Sequence, residues 1–349
     1  MTKKKLVIIT LIITSLLMIS GCKKLGTVAS SITSDIETST TPAFAPASEQ
    51  NNTLDELSME AYENFMRNEM KVSFDRYMPK DYVEGAFYKK GSEYTLSEVL
   101  KIVTANYFKY SSNKKIKNIE YSYIDCGNDG VKELALRLKG MDIYCEGDDS
   151  TLVYVIKYIS GKLSLCYYYE TWARSDTTMN EYGYYQSAGS GGASLHDEEY
   201  GLIDKDGNWH FIVSIESELD INQLSWSDEL KQIPELAKIK GITDRIEFDT
   251  IRFYNNLEAD IDQTTNNECY YTYYVYDNNM NPIKDASIYT KSLYKEIFDE
   301  AKVPFITPDK LSTLISEKEI NLGVTPEIKE GTEIKWNVLS GNIFSDYVG

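Results

Sequence analysis

The chain has 349 residues, and its 54 acidic residues against 36 Lys and Arg give a formal net charge of −18 at pH 7. Nucleic-acid binding depends on basic patches, so this balance disfavours a nucleic-acid partner. It equally disfavours direct adsorption to anionic lipid or anionic wall polymer, unless divalent cations bridge the two surfaces.

The N-terminus has the pattern of an export signal over residues 1–21. Lys3, Lys4 and Lys5 precede a largely apolar run from Leu6 to Met18. At about 1.5 Å per residue this run is too short to span a hydrocarbon core of about 30 Å comfortably. The pattern therefore favours a cleaved signal over a transmembrane helix.

The next residues, Ile19-Ser20-Gly21-Cys22, resemble the lipobox of bacterial lipoproteins. The resemblance implies cleavage before Cys22 and a diacylglyceryl group on its thiol. It also implies a folded domain that is anchored to the cell membrane and faces outside the cytoplasm. Two or more acyl chains give stable anchoring, whereas one alone is marginal. The alternative is an ordinary secretory signal whose cleavage happens to leave a cysteine.

Composition and periodicity divide the remaining chain into four parts. Residues 22–52 are rich in Ser, Thr, Ala and Pro, which indicates a flexible tether behind the lipidated cysteine. We expect a helical segment at 53–112, an antiparallel β region at 113–216 and a mixed helix and strand region at 217–349. The predicted class is α+β, with an antiparallel β-meander core and helices at the N-terminal and C-terminal ends.

Two helices are predicted in the first folded region. The first covers Thr53 to about Tyr77, where apolar residues fall near one face. The second follows Thr95, with Ser97 and Glu98 in its first turn.

From Ile116 the apolar period changes to two, which indicates a meander of strands. Its first turn is predicted at Gly127 to Gly130, and its third hairpin joins Leu152–Ile159 to Lys162–Tyr169. Further elements are predicted in chain order, with strands at Tyr182–Gln186, Tyr200–Ile203 and Trp209–Ile215, a helix at Asp228–Lys240, strands at Arg245–Tyr254 and Cys269–Tyr276, and helices at Ser287–Lys302 and after Thr307.

The second turn of the meander is predicted at Lys139 to Asp142. A two-residue loop there places two apolar pairs opposite each other, Leu136 with Cys145 and Leu138 with Ile143. The four side chains then share one face, so this register is self-consistent.

The segment 125–134 has the residue spacing of a calcium loop. Asp125, Asp129 and Glu133 offer carboxylates from positions 1, 5 and 9, and Val131 offers a carbonyl from position 7. The segment resembles the DxDxDGxxE loops of integrin-like and dockerin-like calcium modules, which implies a bound Ca²⁺. It departs from them at position 3, where Gly127 has no side chain to coordinate. The alternative is a plain hairpin turn, which Asp, Asn and Gly form without metal.

Residues from about 123 to 212 resemble uncharacterised exported proteins of anaerobic, low-GC Gram-positive bacteria. In those proteins the DGxxEL segment is followed by a Trp-Ala-Arg-Ser-like strand and a Gly-Ser-Gly-Gly-Ala loop, which are 172–175 and 189–193 here. The resemblance implies a shared domain and brings no activity with it. Four residues mark a candidate ligand cleft, with the first two on one strand face: Trp172, Arg174, Ser190 and His196. The alternative is a packed Trp covered by an Arg.

Two residue types keep two interpretations open. The cysteines after Cys22 allow three full disulfide pairings or buried reduced thiols, and they are Cys126, Cys145, Cys166 and Cys269. The 28 tyrosines suit half-buried strands, and their rings also suit stacking on sugar faces.

The sequence offers no credible catalytic set. The two histidines, His196 and His210, follow Ser190, whereas a chymotrypsin-type triad places His before Ser. The leading hypothesis is therefore a non-enzymatic binding or envelope-associated domain, stabilised by calcium, whose partners are the membrane and a glycan or other envelope ligand. The alternative is a hydrolase of envelope glycan or wall polymer that uses paired carboxylates.

Overall fold

Strands with alternating polar and apolar residues form two sheets that helices cover. The computed structural model describes residues 47–76, 87–110, 114–219, 221, 224, 230–242, 245–253, 268–277 and 279–349. The predicted export signal, Cys22 and most of the predicted tether lie outside these residues. The described residues belong to one compact unit.

Thirteen strands are present in this described part of the chain. They are β1 (Val72–Ser73), β2 (Glu93–Tyr94), β3 (Asn118–Ile124), β4 (Glu133–Met141), β5 (Ser150–Ile159), β6 (Lys162–Thr171), β7 (Ser175–Met179), β8 (Tyr184–Ser190), β9 (Leu195–Ile203), β10 (Trp209–Glu218), β11 (Arg245–Phe253), β12 (Glu268–Tyr276) and β13 (Asn337–Val338). The first sheet has the order β13-β3-β4-β5-β6-β1-β2, and the second has the order β12-β11-β10-β9-β8-β7. The pairs are antiparallel except β1 with β6, which is parallel.

The helices lie before, between and after the strands. They are α1 (Ala47–Met66), α2 (Leu96–Asn106), α3 (Ile233–Ile239), α4 (Leu293–Ala301), α5 (Pro308–Asn321) and α6 (Pro326–Lys329), with 3-10 turns at Ala286–Tyr289 and Asn342–Phe344. The α+β class, the meander and the terminal helices are thus confirmed. Among the described residues, no helix is long and apolar enough to cross a bilayer.

Four apolar clusters hold these layers together. One face of the first sheet packs against α1 and α2. Its other face packs against the second sheet, where Tyr167 of β6 stacks on Trp209 of β10 with ring centroids 3.5 Å apart. Beside that contact, the same face of the second sheet packs on α3 and α4. The opposite, outer face of the second sheet packs on α5 and α6. Because α5 and α6 cover one end of that outer face, the other end is left to polar residues.

Several local signals produce the predicted elements. Thr95 begins α2 with a reciprocal capping box, in which its hydroxyl accepts from the Glu98 N–H and the Glu98 carboxylate accepts from the Thr95 N–H. Thr307 caps α5 in the same position, with Pro308 in the first turn. The hairpin through Ser160-Gly161 is confirmed by the pairing of Ile159 with Lys162.

The predicted hairpin at Gly140 is wrong. Strand β4 continues through Met141 and pairs with β5, so that Leu136 lies opposite Tyr154 and Leu138 opposite Leu152. Gly140 occupies a β-bulge with φ of 83°, and a Cβ there would lie 2.6 Å from the Lys117 side chain. A bulge glycine and a turn glycine look alike in sequence, because both serve backbone conformations that disfavour a side chain.

Three predicted helices have different bounds. α1 begins at Ala47, within the predicted tether, and ends at Met66, after which the chain enters β1. The predicted helix Asp228–Lys240 is confirmed only as α3, and its first residues lie outside the described ones. The predicted helix Ser287–Lys302 divides into a 3-10 turn and α4, because the Ser292 hydroxyl caps a new helix by accepting from the Lys295 N–H.

Candidate functional site

The predicted calcium loop is a turn closed by its own backbone. The Asp125 carboxylate accepts from the N–H groups of Asp129 (2.9 Å) and Gly130 (3.0 Å), and the Asp129 carboxylate accepts from the Val131 N–H (2.9 Å). These are the local bonds by which Asp stabilises a turn without metal.

The last predicted calcium ligand, Glu133, lies in a buried ion pair. Glu133 is 0 % exposed, forms an ion pair with Lys157 and accepts from the Cys126 N–H (2.6 Å). In the described part of the chain, no group of three or more His, Cys, Asp or Glu side chains is placed to hold a metal ion. The carboxylates of Asp125, Asp129 and Glu133 thus already accept hydrogen bonds from the protein. Calcium binding by this loop stays a prediction of the sequence.

The candidate cleft residues lie at one end of the second sheet. The prediction that Trp172 and Arg174 lie on one strand face is wrong, because β6 ends at Thr171 and β7 begins at Ser175. The turn is fixed by the Trp172 N–H, which donates to the Ser175 hydroxyl (2.8 Å).

Ser190 and His196 are brought together, as direct cross-strand partners of β8 and β9. The Ser190 hydroxyl donates to the Gly192 carbonyl (2.7 Å), so the glycine loop uses it to close its own turn. From this pair of residues, strand pairing continues across the sheet from β9 to β10, β11 and β12.

The register extends this pair into a polar row across five strands. His196 lies opposite Ser217, Ser217 opposite Asp249, and Asp249 opposite Thr272. Directly opposed residues of antiparallel strands share a face, as do residues two apart on one strand. We call the resulting surface the acidic face, and it consists of His196, Glu198, Ser217, Glu247, Asp249, Thr272, Tyr274 and Tyr276.

Asp249 is the floor of the acidic face. It is 4 % exposed, and its Oδ1 atom has no hydrogen-bond partner among the described residues. Burial raises the pKa of Asp249, the charges of Glu247 and Glu198 add to the rise, and a hydrogen bond from Ser217 opposes it, so that the pKa is about 7. A carboxyl group with these surroundings changes its charge close to neutral pH.

The rim of the acidic face is half-buried. The Tyr276 hydroxyl donates to Glu247 (2.6 Å), and the Tyr200 hydroxyl donates to Glu198 (2.8 Å). Burial raises the pKa of Glu247 above its ordinary value, Tyr276 opposes this shift, and the negative charge of Glu198 adds to it. The arrangement therefore presents oxygen acceptors and aromatic hydroxyls around a desolvated carboxyl group, which is a common feature of functional sites.

Most of this surface was not predicted from the sequence. The signal was present in β11, where Glu247 and Asp249 alternate with the buried Ile246, Phe248 and Thr250. Acids at alternate positions of a strand predict one polar face, but which other strands contribute to it depends on the register.

Comparisons with known proteins add no information about this site, which is described by its geometry alone. No protein-family model, no curated protein and no solved structure matches the chain.

Proposed function

We propose that the chain is a lipid-anchored extracytoplasmic protein that binds a polar ligand of the cell envelope on its acidic face. The lipobox-like residues that end at Cys22 support the anchor. The carboxylates and tyrosine hydroxyls of the acidic face match a ligand rich in hydroxyl groups, such as a glycan, and tyrosine rings suit sugar faces.

The observation that carries the binding role is the Oδ1 atom of Asp249, for which no described residue is a hydrogen-bond partner. A buried polar atom without a partner costs free energy, and native proteins leave few of them. A ligand that donates a hydrogen bond to this oxygen removes that cost. The side chains of Glu247, Tyr274 and Tyr276 on the same face are half-buried, so the surface around this oxygen is partly exposed to solvent.

The anchor is tested by fatty-acid labelling of the full chain in its native host. We expect label on the wild-type protein and its loss in Cys22→Ser, because the Cys22 thiol is the acceptor of the lipid. Cys145→Ser, which removes an exposed cysteine of the folded part, serves as the control and should keep the label. An unlabelled wild-type chain with an intact N-terminus contradicts the anchor.

The binding role is tested on an array of envelope glycans with the detergent-solubilised full chain. We expect Asp249→Asn to weaken binding by about tenfold or more, since a hydrogen bond to a charged group is lost. The matched control is Asp197→Asn, because Asp197 lies on the opposite face of the same sheet. Equal loss in both variants, or no binding by the wild type, contradicts the proposal.

One observation favours a second candidate, a glycan hydrolase with paired carboxylates. Glu247 and Asp249 are two residues apart on one strand face, so their Cα atoms are separated by about 6.8 Å. Glycosidases use a pair of carboxyl groups, and their general acid has a raised pKa, as Asp249 has. Release of products from the array glycans, abolished in Asp249→Asn, decides for this candidate over simple binding.

A further inference from the structure

We infer that the acidic face binds a protonated primary amine, with the Asp249 carboxylate as acceptor at its floor and Glu198 and Glu247 at its rim. This inference rests on the proposed binding role of the acidic face and names the chemistry of the ligand. The ligand carries the amine either on an amino sugar or on a free alkyl chain.

The contacts of Asp249 call for a hydrogen-bond donor. Ser217 supplies one bond to the carboxylate, and Oδ1 is left without a partner in the described part of the chain. Thr272, the other direct neighbour, does not supply it, because its hydroxyl donates to the Ile306 carbonyl (2.8 Å). The missing donor must therefore come from outside the described strands.

The charges of the acidic face call for a donor that is a cation. Glu247 and Glu198 act on Asp249 with the same sign, so each raises the cost of its ionised form. Neither Ser217 nor Thr272 carries a charge that offsets them. An ammonium group offers three N–H donors and a full positive charge, and the rings of Tyr274 and Tyr276 add aromatic surface for a cation.

The spacing of the carboxylates favours an amine over a metal ion. Calcium needs its oxygen ligands at about 2.3–2.6 Å, which requires several of them to converge on one point. Acids two apart on a flat strand are about 6.8 Å apart along the chain, and no metal-holding group of three or more His, Cys, Asp or Glu exists among the described residues.

The pH dependence of binding follows from the groups that face Asp249. They are Glu247 on its own strand, His196 and Glu198 on β9, Tyr274 and Tyr276 on β12, and Tyr289 in the 3-10 turn. With the pKa of Asp249 near 7, its ionised fraction rises about tenfold between pH 6 and pH 8. Binding of an alkyl amine, which stays protonated over this range like a lysine with pKa near 10.4, should strengthen by a similar factor.

The test is isothermal titration calorimetry of the detergent-solubilised full chain. The probes are cadaverine, a glucosamine tetramer, its N-acetylated counterpart and calcium chloride. We expect cadaverine to bind about tenfold more tightly at pH 8 than at pH 6. Asp249→Asn should weaken it by about tenfold or more and remove the pH dependence, Glu247→Gln should weaken it less, and Asp197→Asn should leave it unchanged.

The outcomes separate this inference from the proposed function. Tight binding of the glucosamine tetramer together with weak binding of its N-acetylated form supports the inference and identifies an amino sugar as the source. Binding of cadaverine alone supports the inference and contradicts the glycan role. Binding of the N-acetylated tetramer without either amine leaves the proposed function standing and overturns the inference. Calcium binding that Asp249→Asn removes, without amine binding, also overturns it.

Discussion

Replacing Lys157 with methionine is expected to lower the free energy of unfolding by about 3–5 kcal/mol, because it leaves the charge of Glu133 buried without its partner. Glu133 is 0 % exposed and Lys157 is 7 % exposed, so water cannot replace the lost ammonium group. Urea denaturation at pH 7, followed by far-UV circular dichroism, measures the change. Glu133→Gln added to Lys157→Met should recover part of the loss, since it removes the unpaired charge.

The size of this effect depends on pH. Burial raises the pKa of Glu133 to about 7. At Lys157 burial lowers the pKa, but the charge of Glu133 and its hydrogen bond together outweigh burial, so the pKa of the lysine is raised. We take burial to dominate at the carboxyl group, so removing Lys157 raises its pKa further. A group whose pKa is raised by folding stabilises the fold at low pH and loses that contribution as pH rises through the folded value. The deficit of Lys157→Met should therefore be larger at pH 8 than at pH 5.

The control for this pair is an ion pair on the surface. Lys117 and Asp149 are 2.7 Å apart, but both side chains are more than half exposed. Lys117→Met should cost at most about 1 kcal/mol, because water screens and replaces the contact. Equal losses in the two lysine variants would contradict the buried-pair explanation.

The second large effect is expected at the contact between the two sheets. Trp209→Ala should destabilise the protein by about 3–5 kcal/mol, because it removes a buried ring and leaves a cavity. The Trp209 ring stacks on Tyr167 at 3.5 Å with an angle of 6° between the planes. Gly201 makes room for the ring, since a Cβ at that position would lie 2.1 Å from the indole. The measurement is the urea midpoint, followed by circular dichroism because tryptophan fluorescence changes with the substitution itself.

Trp172 provides the matched comparison for Trp209. It lies half-buried in the turn between β6 and β7, and its ring centroid is 5.9 Å from that of Tyr144. Trp172→Ala should shift the urea midpoint much less than Trp209→Ala does, because a half-exposed ring loses less burial. A larger shift for Trp172→Ala would mean that the sheet contact is not the main source of stability.

Elements with a strong local signal could be predicted. The capping residues Thr95 and Thr307 and the turn residues Ser160-Gly161 act on neighbours within four positions, so the sequence around them contains the whole cause. Period-two alternation located most strands for the same reason. The division of the predicted helix 287–302 was missed because the Ser292 cap competes with helix continuation over only a few residues.

By itself, the sequence determined the class of the fold, the positions of most of its strands and the acidic balance of the chain, because these follow from composition and short-range periodicity. The register was decided by the tertiary structure. Gly140 lies in a bulge because β4 continues past it to Met141 and pairs with β5, which begins at Ser150. Four separate strand pairings formed the polar row of Ser190, His196, Ser217, Asp249 and Thr272. The first and last of these residues are 82 positions apart in the sequence. A shift of one residue in any pairing would turn an acid to the opposite face, and no local pattern specifies that choice.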